Sequence, residues 1–406
     1  MAYLIYLARR AILGYNTTNQ IILYDKKEDK PLRKVPAYEG FELGPIRPPS
    51  EAYSLLLRIN RGCGWNKCRF CGFYRDVPFA IRSAEDVKKD IDRIKYWVDV
   101  FQGNIEDASN PATPGEQEAC YSAYNWIQSG MKSVFFQDGN SILMPPDEMI
   151  EVLEYLNATF PDIQRITSYA RADTINRLSP ERLKRYAELG LNRFHIGLET
   201  GNDHILKLMK KGCTKQVQIE AGIKAKAAGI EINEFYMPGM GGREFARESA
   251  LDTADVMNQV NPDFIRIRSM ALSEKLEMYE DNRTGILTRP NDIETIREIR
   301  LFIENLHGIT SVVDSDHILN ILLELRGKLP EAKPRLLATI DQFLELPEDT
   351  QNIFRLGRRL NVMNNLRDLN NPFLVDRVKQ TMDKAGIDKT NIDDVCDQLM
   401  IRCIPI

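Results

Sequence analysis

The chain has 406 residues, 43% of them hydrophobic and 28% charged, with a formal net charge of −4. That length suits one large domain of about 200–250 residues plus a smaller one, and the composition is that of an ordinary soluble globular protein. The acidic balance gives no global reason to expect nucleic-acid binding, and no run approaches the roughly 20 apolar residues of a membrane span.

In chain order, Arg9 and Arg10 interrupt the opening apolar run before a signal-peptide core is long enough. Residues 1–50 read as an N-terminal extension with a candidate strand at 20–24 and a proline-rich run ending at Pro48-Pro49. Strands are then predicted at 53–60, 132–137, 163–170, 193–198, 230–237 and 264–269. Helices alternate with them at 84–101, 116–128, 146–159, 179–189, 214–228 and 244–259. Short apolar strands alternating with helices predict βαβ units and a parallel sheet. Six strands at near-constant spacing favour an incomplete barrel over an open doubly wound sheet. From about residue 290 the pattern turns helical, at 292–306, 317–325, 334–346, 348–360, 372–385 and 392–400, with a strand or loop at 309–317. The expected fold is α/β: a partial (β/α)6 TIM-type barrel over 51–275, the extension 1–50 before it, and a mainly helical C-terminal region 276–406. The basic cluster Arg355, Arg358 and Arg359 reads as a solvated helix face.

The densest chemistry follows the first strand. Cys63, Cys68 and Cys71 stand in RGCGWNKCRFCGFY (61–74) with spacing C-x4-C-x2-C. Thiolates this close can converge on one soft metal centre. Three of them leave one position of a four-iron cluster open to a small molecule. A structural zinc site recruits a fourth Cys or His, and none of the four histidines, His195, His204, His307 and His317, lies in this stretch. An odd total of seven cysteines argues against a secreted disulfide framework and for a reducing cytoplasm. Cys396 and Cys403 near the terminus are too few for an auxiliary cluster and read as buried thiols. His195 reads as a core histidine. Arg266 and Arg268 alternate with isoleucines in the sixth strand, where they either pair with carboxylates or meet an anionic substrate.

On these residues the chain resembles the radical S-adenosylmethionine (radical SAM) enzymes. It is most similar to the subgroup of elongator-type catalytic subunits, oxygen-independent coproporphyrinogen oxidases and methylthiotransferases. The first cysteine gap is one residue longer than the family's usual C-x3-C-x2-C, and Gly62, Gly64 and Gly72 keep the loop pliable. The resemblance implies that Cys63, Cys68 and Cys71 bind a [4Fe–4S] cluster. Its open iron takes the amino and carboxylate groups of SAM, and reductive cleavage gives a 5′-deoxyadenosyl radical that abstracts hydrogen. It further implies that Phe70 packs against adenine. Asp138 and Gly139, in the QDGN run at 137–140, would receive the SAM amino group, unless Gly139 only makes a tight turn. Arg171 would pair with the SAM carboxylate, unless it forms a surface ion pair. Glu199, in GLETG (197–201), would bind the ribose hydroxyls or the amino group. Tyr236 and Met237 would hold the adenine. His317 is a candidate general acid or base, or else a helix-start residue beside Asp316. An electron donor such as flavodoxin or ferredoxin is implied.

No acetyltransferase-like segment follows the barrel, no second cysteine triad precedes it, and the first 50 residues cannot hold a cobalamin domain. The expected substrate is therefore a small molecule, anionic on the reading of Arg266 and Arg268 as substrate contacts, with nucleic acid and membrane not expected as partners. A non-catalytic iron–sulfur or zinc-binding protein is the rival reading, and a radical SAM enzyme acting on RNA or a peptide is a further one.

Overall fold

Where apolar residues run on for four to nine positions between breakers, the chain forms short buried strands, as the computed structural model shows for residues 38, 40–106 and 108–403. The candidate strand at 20–24 lies outside the described residues. The strand order is β1-β4-β5-β6-β7-β8-β9-β10, with a separate pair β2-β3. In chain order these are β1 (Leu55–Arg58), β2 (Asn60–Arg61), β3 (Ala80–Ile81), β4 (Ser133–Gln137), β5 (Arg165–Ala170), β6 (Leu191–Glu199), β7 (Glu231–Tyr236), β8 (Phe264–Ile267), β9 (Val312–Asp314) and β10 (Arg326–Lys328). The sheet is mostly parallel and alternates with helices, the α/β partial-barrel arrangement expected from the sequence.

Two compact units build the chain. The first comprises residues up to Asn66, Tyr74–His195 and Lys224–Ile230. In it β4 pairs in parallel with both β1 and β5, Leu55 standing opposite Val134 and Phe136 opposite Ser168. Helix Ala84–Phe101 starts where the Ser83 side chain accepts from Asp86 N, and its buried Val87, Ile91, Ile94 and Val98 recur at helical spacing. Helices Pro114–Gln128 and Pro180–Glu188 are capped in the same way by Thr113 and Ser179. His195 is a buried core histidine: its Nε2 lies 3.2 Å from Glu51 Oε1, and its ring meets Phe135 edge-on.

The second unit comprises Lys67–Phe73, Ile196–Ile223 and Glu231–Ile406. Its strands β7, β8 and β9 are parallel, and β10 closes antiparallel on β9. Ile265, Ile267 and Val313 of these strands share a core with Ile296, Ile299, Phe302 and Ile303 of helix Asp292–Glu304. Each fully buried aliphatic side chain there contributes roughly 1.5–3 kcal/mol.

Three expectations are corrected. Helices Ala172–Arg177, Asp203–Leu208 and Glu277–Thr284 were not anticipated, being too short to show a clear apolar period. Residues 317–325 are a turn and not a helix, because side chains occupy the carbonyls a helix would use. Arg359 Nη1 donates to Leu319 O, Arg358 Nη2 to Asn320 O, and Arg358 Nε to Ile321 O. The same contacts correct the reading of Arg355, Arg358 and Arg359 as a solvated face, since all three are buried. Arg355 and Arg359 both pair with the buried carboxylate of Asp292.

Candidate active site

The cysteine loop passes from one unit to the other, Cys63 belonging to the first and Cys68 and Cys71 to the second. None of the seven cysteines is in a disulfide.

In the first unit the loop begins on a fixed anchor. Asp138, at the end of β4, is fully buried, and its Oδ2 accepts from Gly62 N (2.9 Å) and from Arg58 Nε (3.1 Å) and Nη2 (2.8 Å). Burial pushes the carboxyl up, and the Arg58 guanidinium opposes that shift. Oδ1 is closed off by Gly44, where a Cβ would collide with it. The structure thus occupies the Asp138 carboxylate with the root of the loop. Gly62 and Asn66 take left-handed backbone angles (φ 75° and 42°). The second turn brings Asn66 N to Cys63 Sγ at 3.5 Å, and Asn66 Nδ2 donates to Tyr74 O. Gly139 comes close: a Cβ built on it would lie 3.8 Å from Cys63 Sγ and 3.2 Å from the Tyr74 ring. Arg171 is buried, with its Nε on Asp173 Oδ1 (2.9 Å) and its guanidinium 5.2 Å from the Trp65 ring of the cysteine loop. Asn140, which the sequence did not single out, accepts from Arg171 N and donates to Thr174 Oγ1.

In the second unit, Arg69 N donates to Met209 O, and Met278 N donates to Arg69 O, so that backbone bonds hold the loop on both sides. Phe70 packs against an apolar cluster containing Met209, Met237, Met240 and Met278. Lys211 Nζ stands 5.7 Å from the Phe70 ring centre and 3.1 Å from Glu199 Oε1. Glu199 is 8% exposed and takes a left-handed backbone angle (φ 66°); its Oε2 is buried without a hydrogen-bond partner. A Cβ at Gly197 would displace Glu199 Oε1 from this position. Met237 N donates to Glu199 O (2.9 Å), linking the two candidate residues through the backbone. Glu234, also missed by sequence reasoning, is buried with an unpartnered Oε2. Burial raises its carboxyl well above the ordinary range, against the nearby Lys211 charge.

Tyr236 is a correction. Its hydroxyl donates to Glu298 Oε1 (2.8 Å), and its ring lies 4.3 Å from that of Phe302. The side chain therefore faces helix Asp292–Glu304 and not a cofactor. Glu298 also accepts from Gly239 N (2.8 Å), and burial pushes its carboxyl up to about 7. The available signal was a single glutamate among Ile296, Ile299 and Phe302 on the buried face of that helix.

His317 stands in a turn and starts no helix. Burial, then the charges of Arg268 and Arg359, push its imidazole down to about 3. It is neutral near pH 7, so it has no imidazolium proton to give as a general acid. Arg266 pairs with Asp316 and Asp314 and donates to Asn233 Oδ1. Cys396 is buried, with its thiol pushed up to about 12 by desolvation, while Cys403 is exposed.

The donor set fits an iron–sulfur cluster: three soft thiolates in nine residues, with a backbone N–H directed at Cys63 Sγ. Hydrogen bonds to sulfur are one of the features that tune such clusters. Among the described residues no three His, Cys, Asp or Glu side chains converge on one metal position; a cubane cluster takes each thiolate on a different iron.

The sequence profile of the radical SAM superfamily matches residues 57–254. Residues 57–254 are a radical SAM domain. A tRNA uridine(34) acetyltransferase of Methanocaldococcus infernus is 26% identical to this radical SAM chain over 122 residues, 30% of this chain and 23% of the relative. A putative methylthiotransferase of Methanocaldococcus jannaschii is 25% identical over 224 residues, 54% of this chain and 42% of the relative. The chain thus spans well under half of either curated relative. Among solved structures, coproporphyrinogen III oxidase from Escherichia coli, a radical SAM enzyme, aligns with a TM-score of 0.43 at 15% identity, covering 62% of this chain and 52% of that one. Radical SAM domains are those of enzymes whose cofactors are a [4Fe–4S] cluster and SAM.

Proposed function

We propose that this radical SAM enzyme abstracts hydrogen from a small, anionic molecule, with Cys63, Cys68 and Cys71 as the cluster ligands. The observation that carries the reading is the construction around Cys63: the loop root fixed by Asp138, an N–H on the sulfur, and Gly139 packed so close that a Cβ there would stand 3.2 Å from the Tyr74 ring. When bound, the cluster supplies the electron that cleaves the SAM sulfonium and so furnishes the hydrogen-abstracting radical.

The chain's own residues then have separate tasks. Glu199 offers Oε2 to the ribose hydroxyls or ammonium of SAM, while Lys211 holds Oε1 and orients the carboxylate. Phe70, with Met237 beside it, offers an apolar surface suited to adenine. Gly139 lets backbone approach the ligand next to Cys63. Arg171 supplies a charge for the SAM carboxylate, held over Trp65. A one-electron reductant is required, and flavodoxin or ferredoxin suits the role. We place the enzyme in the cytoplasm; no helix among the described residues is long and apolar enough to cross a membrane.

The names of the relatives favour one second reading, that the substrate is an RNA. The reconstituted enzyme, with dithionite and SAM, should release more 5′-deoxyadenosine when given the small-molecule fraction of a cell extract. Stimulation by the tRNA fraction alone overturns the small-molecule reading in favour of the second.

A further inference from the structure

The turn at 315–320 is built more firmly than a connection requires. Asn320 straps it to the end of β8 on both sides of Arg268: its Nδ2 donates to Ile267 O (2.8 Å), and its Oδ1 accepts from Ser269 N (2.8 Å). Asn320 Nδ2 also donates to Ser315 Oγ, and Asn320 N to His317 O. From behind, Arg358 and Arg359 hold the carbonyls of Leu319, Asn320 and Ile321. The product of this bracing is a His317 fixed to the end of β8, within reach of the Arg268 charge.

Among the described residues neither side chain makes a hydrogen bond or an ion pair. Among the described residues Arg268 has no ion pair, in contrast to Arg266 two positions earlier, which is neutralised by Asp314 and Asp316. Its guanidinium lies 5.8 Å from the ring centre of Phe73, two residues after Cys71. His317 makes no side-chain hydrogen bond among the described residues. Its Nδ1 is fully buried, leaving Nε2 as the nitrogen that can meet a ligand. A half-buried cation without a counter-ion, next to an imidazole without a partner, calls for an oxyanion: a guanidinium fork matches two oxygens, and an imidazole N–H can take a third contact.

We propose that Arg268 and His317, braced by Asn320, form the subsite for the carboxylate or phosphate group of the substrate, next to the Phe73 end of the cysteine loop. As an anion site this is independent of the radical chemistry; as a substrate subsite it rests on that proposed chemistry.

Side-chain NMR of the histidine-labelled full-length protein tests it, with succinate as the carboxylate probe and inorganic phosphate as the other. A saturable shift of the His317 nitrogens is expected with at least one probe, and the tighter of the two names the oxyanion. Arg268→Gln should weaken that binding at least about tenfold, and Arg268→Lys less. Asn320→Ala, which leaves both groups but frees the turn, should weaken it as well. No shift with either probe, or unchanged affinity in both Arg268→Gln and Asn320→Ala, overturns the proposal. A wild-type protein that binds the anion but cleaves no SAM overturns the radical reading and leaves the anion site standing.

Discussion

At the scale of single residues, the type of chemistry was legible and the direction of side chains was not. Cys63, Cys68 and Cys71 were singled out by residue type and spacing, and Phe70 and Glu199 by the resemblance. Tyr236 and Met237 are neighbours at a strand end, so their side chains leave on opposite sides, and only the buried Glu298 decides that Tyr236 turns to the helix. Glu298 has a consequence for stability. Its carboxyl sits at about 7 when folded against an ordinary 4.5, so between these values the folded state keeps a proton that the unfolded chain has lost. Stability therefore falls as pH rises through that window, by about 3 kcal/mol from this group. Urea unfolding at pH 5 and pH 8 should show Glu298→Gln losing less than the wild type across that span; equal losses contradict the assignment. Asp138 gives a second prediction. Its Ala variant leaves the Arg58 guanidinium facing only the partly exposed Glu42 and releases Gly62. It should unfold about 3 kcal/mol more easily and take up less iron, and a variant with wild-type stability and iron content would refute the anchoring role.

At the scale of elements, helices with a clear apolar stripe and a capping Ser or Thr were readable to within a few residues, because both signals are local. The 317–325 stretch was not, although its leucines and isoleucines have a helical look. What decides it comes from Arg358 and Arg359, 37 to 40 residues further along. A longer separation hid the role of Arg355 and Arg359, which pair with the carboxylate of Asp292, more than 60 positions away. Removing that carboxylate leaves two buried guanidinium groups short of a counter-charge. Asp292→Ala should therefore cost roughly 3–5 kcal/mol in chemical unfolding. A loss below about 1 kcal/mol would mean that the arginines find other partners and that the turn does not depend on this pair.

At the scale of the whole molecule, alternating strands and helices made the mostly parallel sheet legible, and the cysteine loop after the first strand located the chemistry. The substrate was not legible, since the groups that would meet it, Arg268 and His317, become neighbours only through the turn strapped to β8. The central claim is that the 61–74 loop carries a cluster that cleaves SAM. Anaerobic reconstitution with iron and sulfide, followed by dithionite and SAM, tests it most directly. The account predicts about four irons per chain and release of 5′-deoxyadenosine, both abolished together in Cys63→Ala, Cys68→Ala and Cys71→Ala. A wild-type protein that takes up zinc in place of a cluster, or that holds a cluster yet releases no 5′-deoxyadenosine, would contradict it.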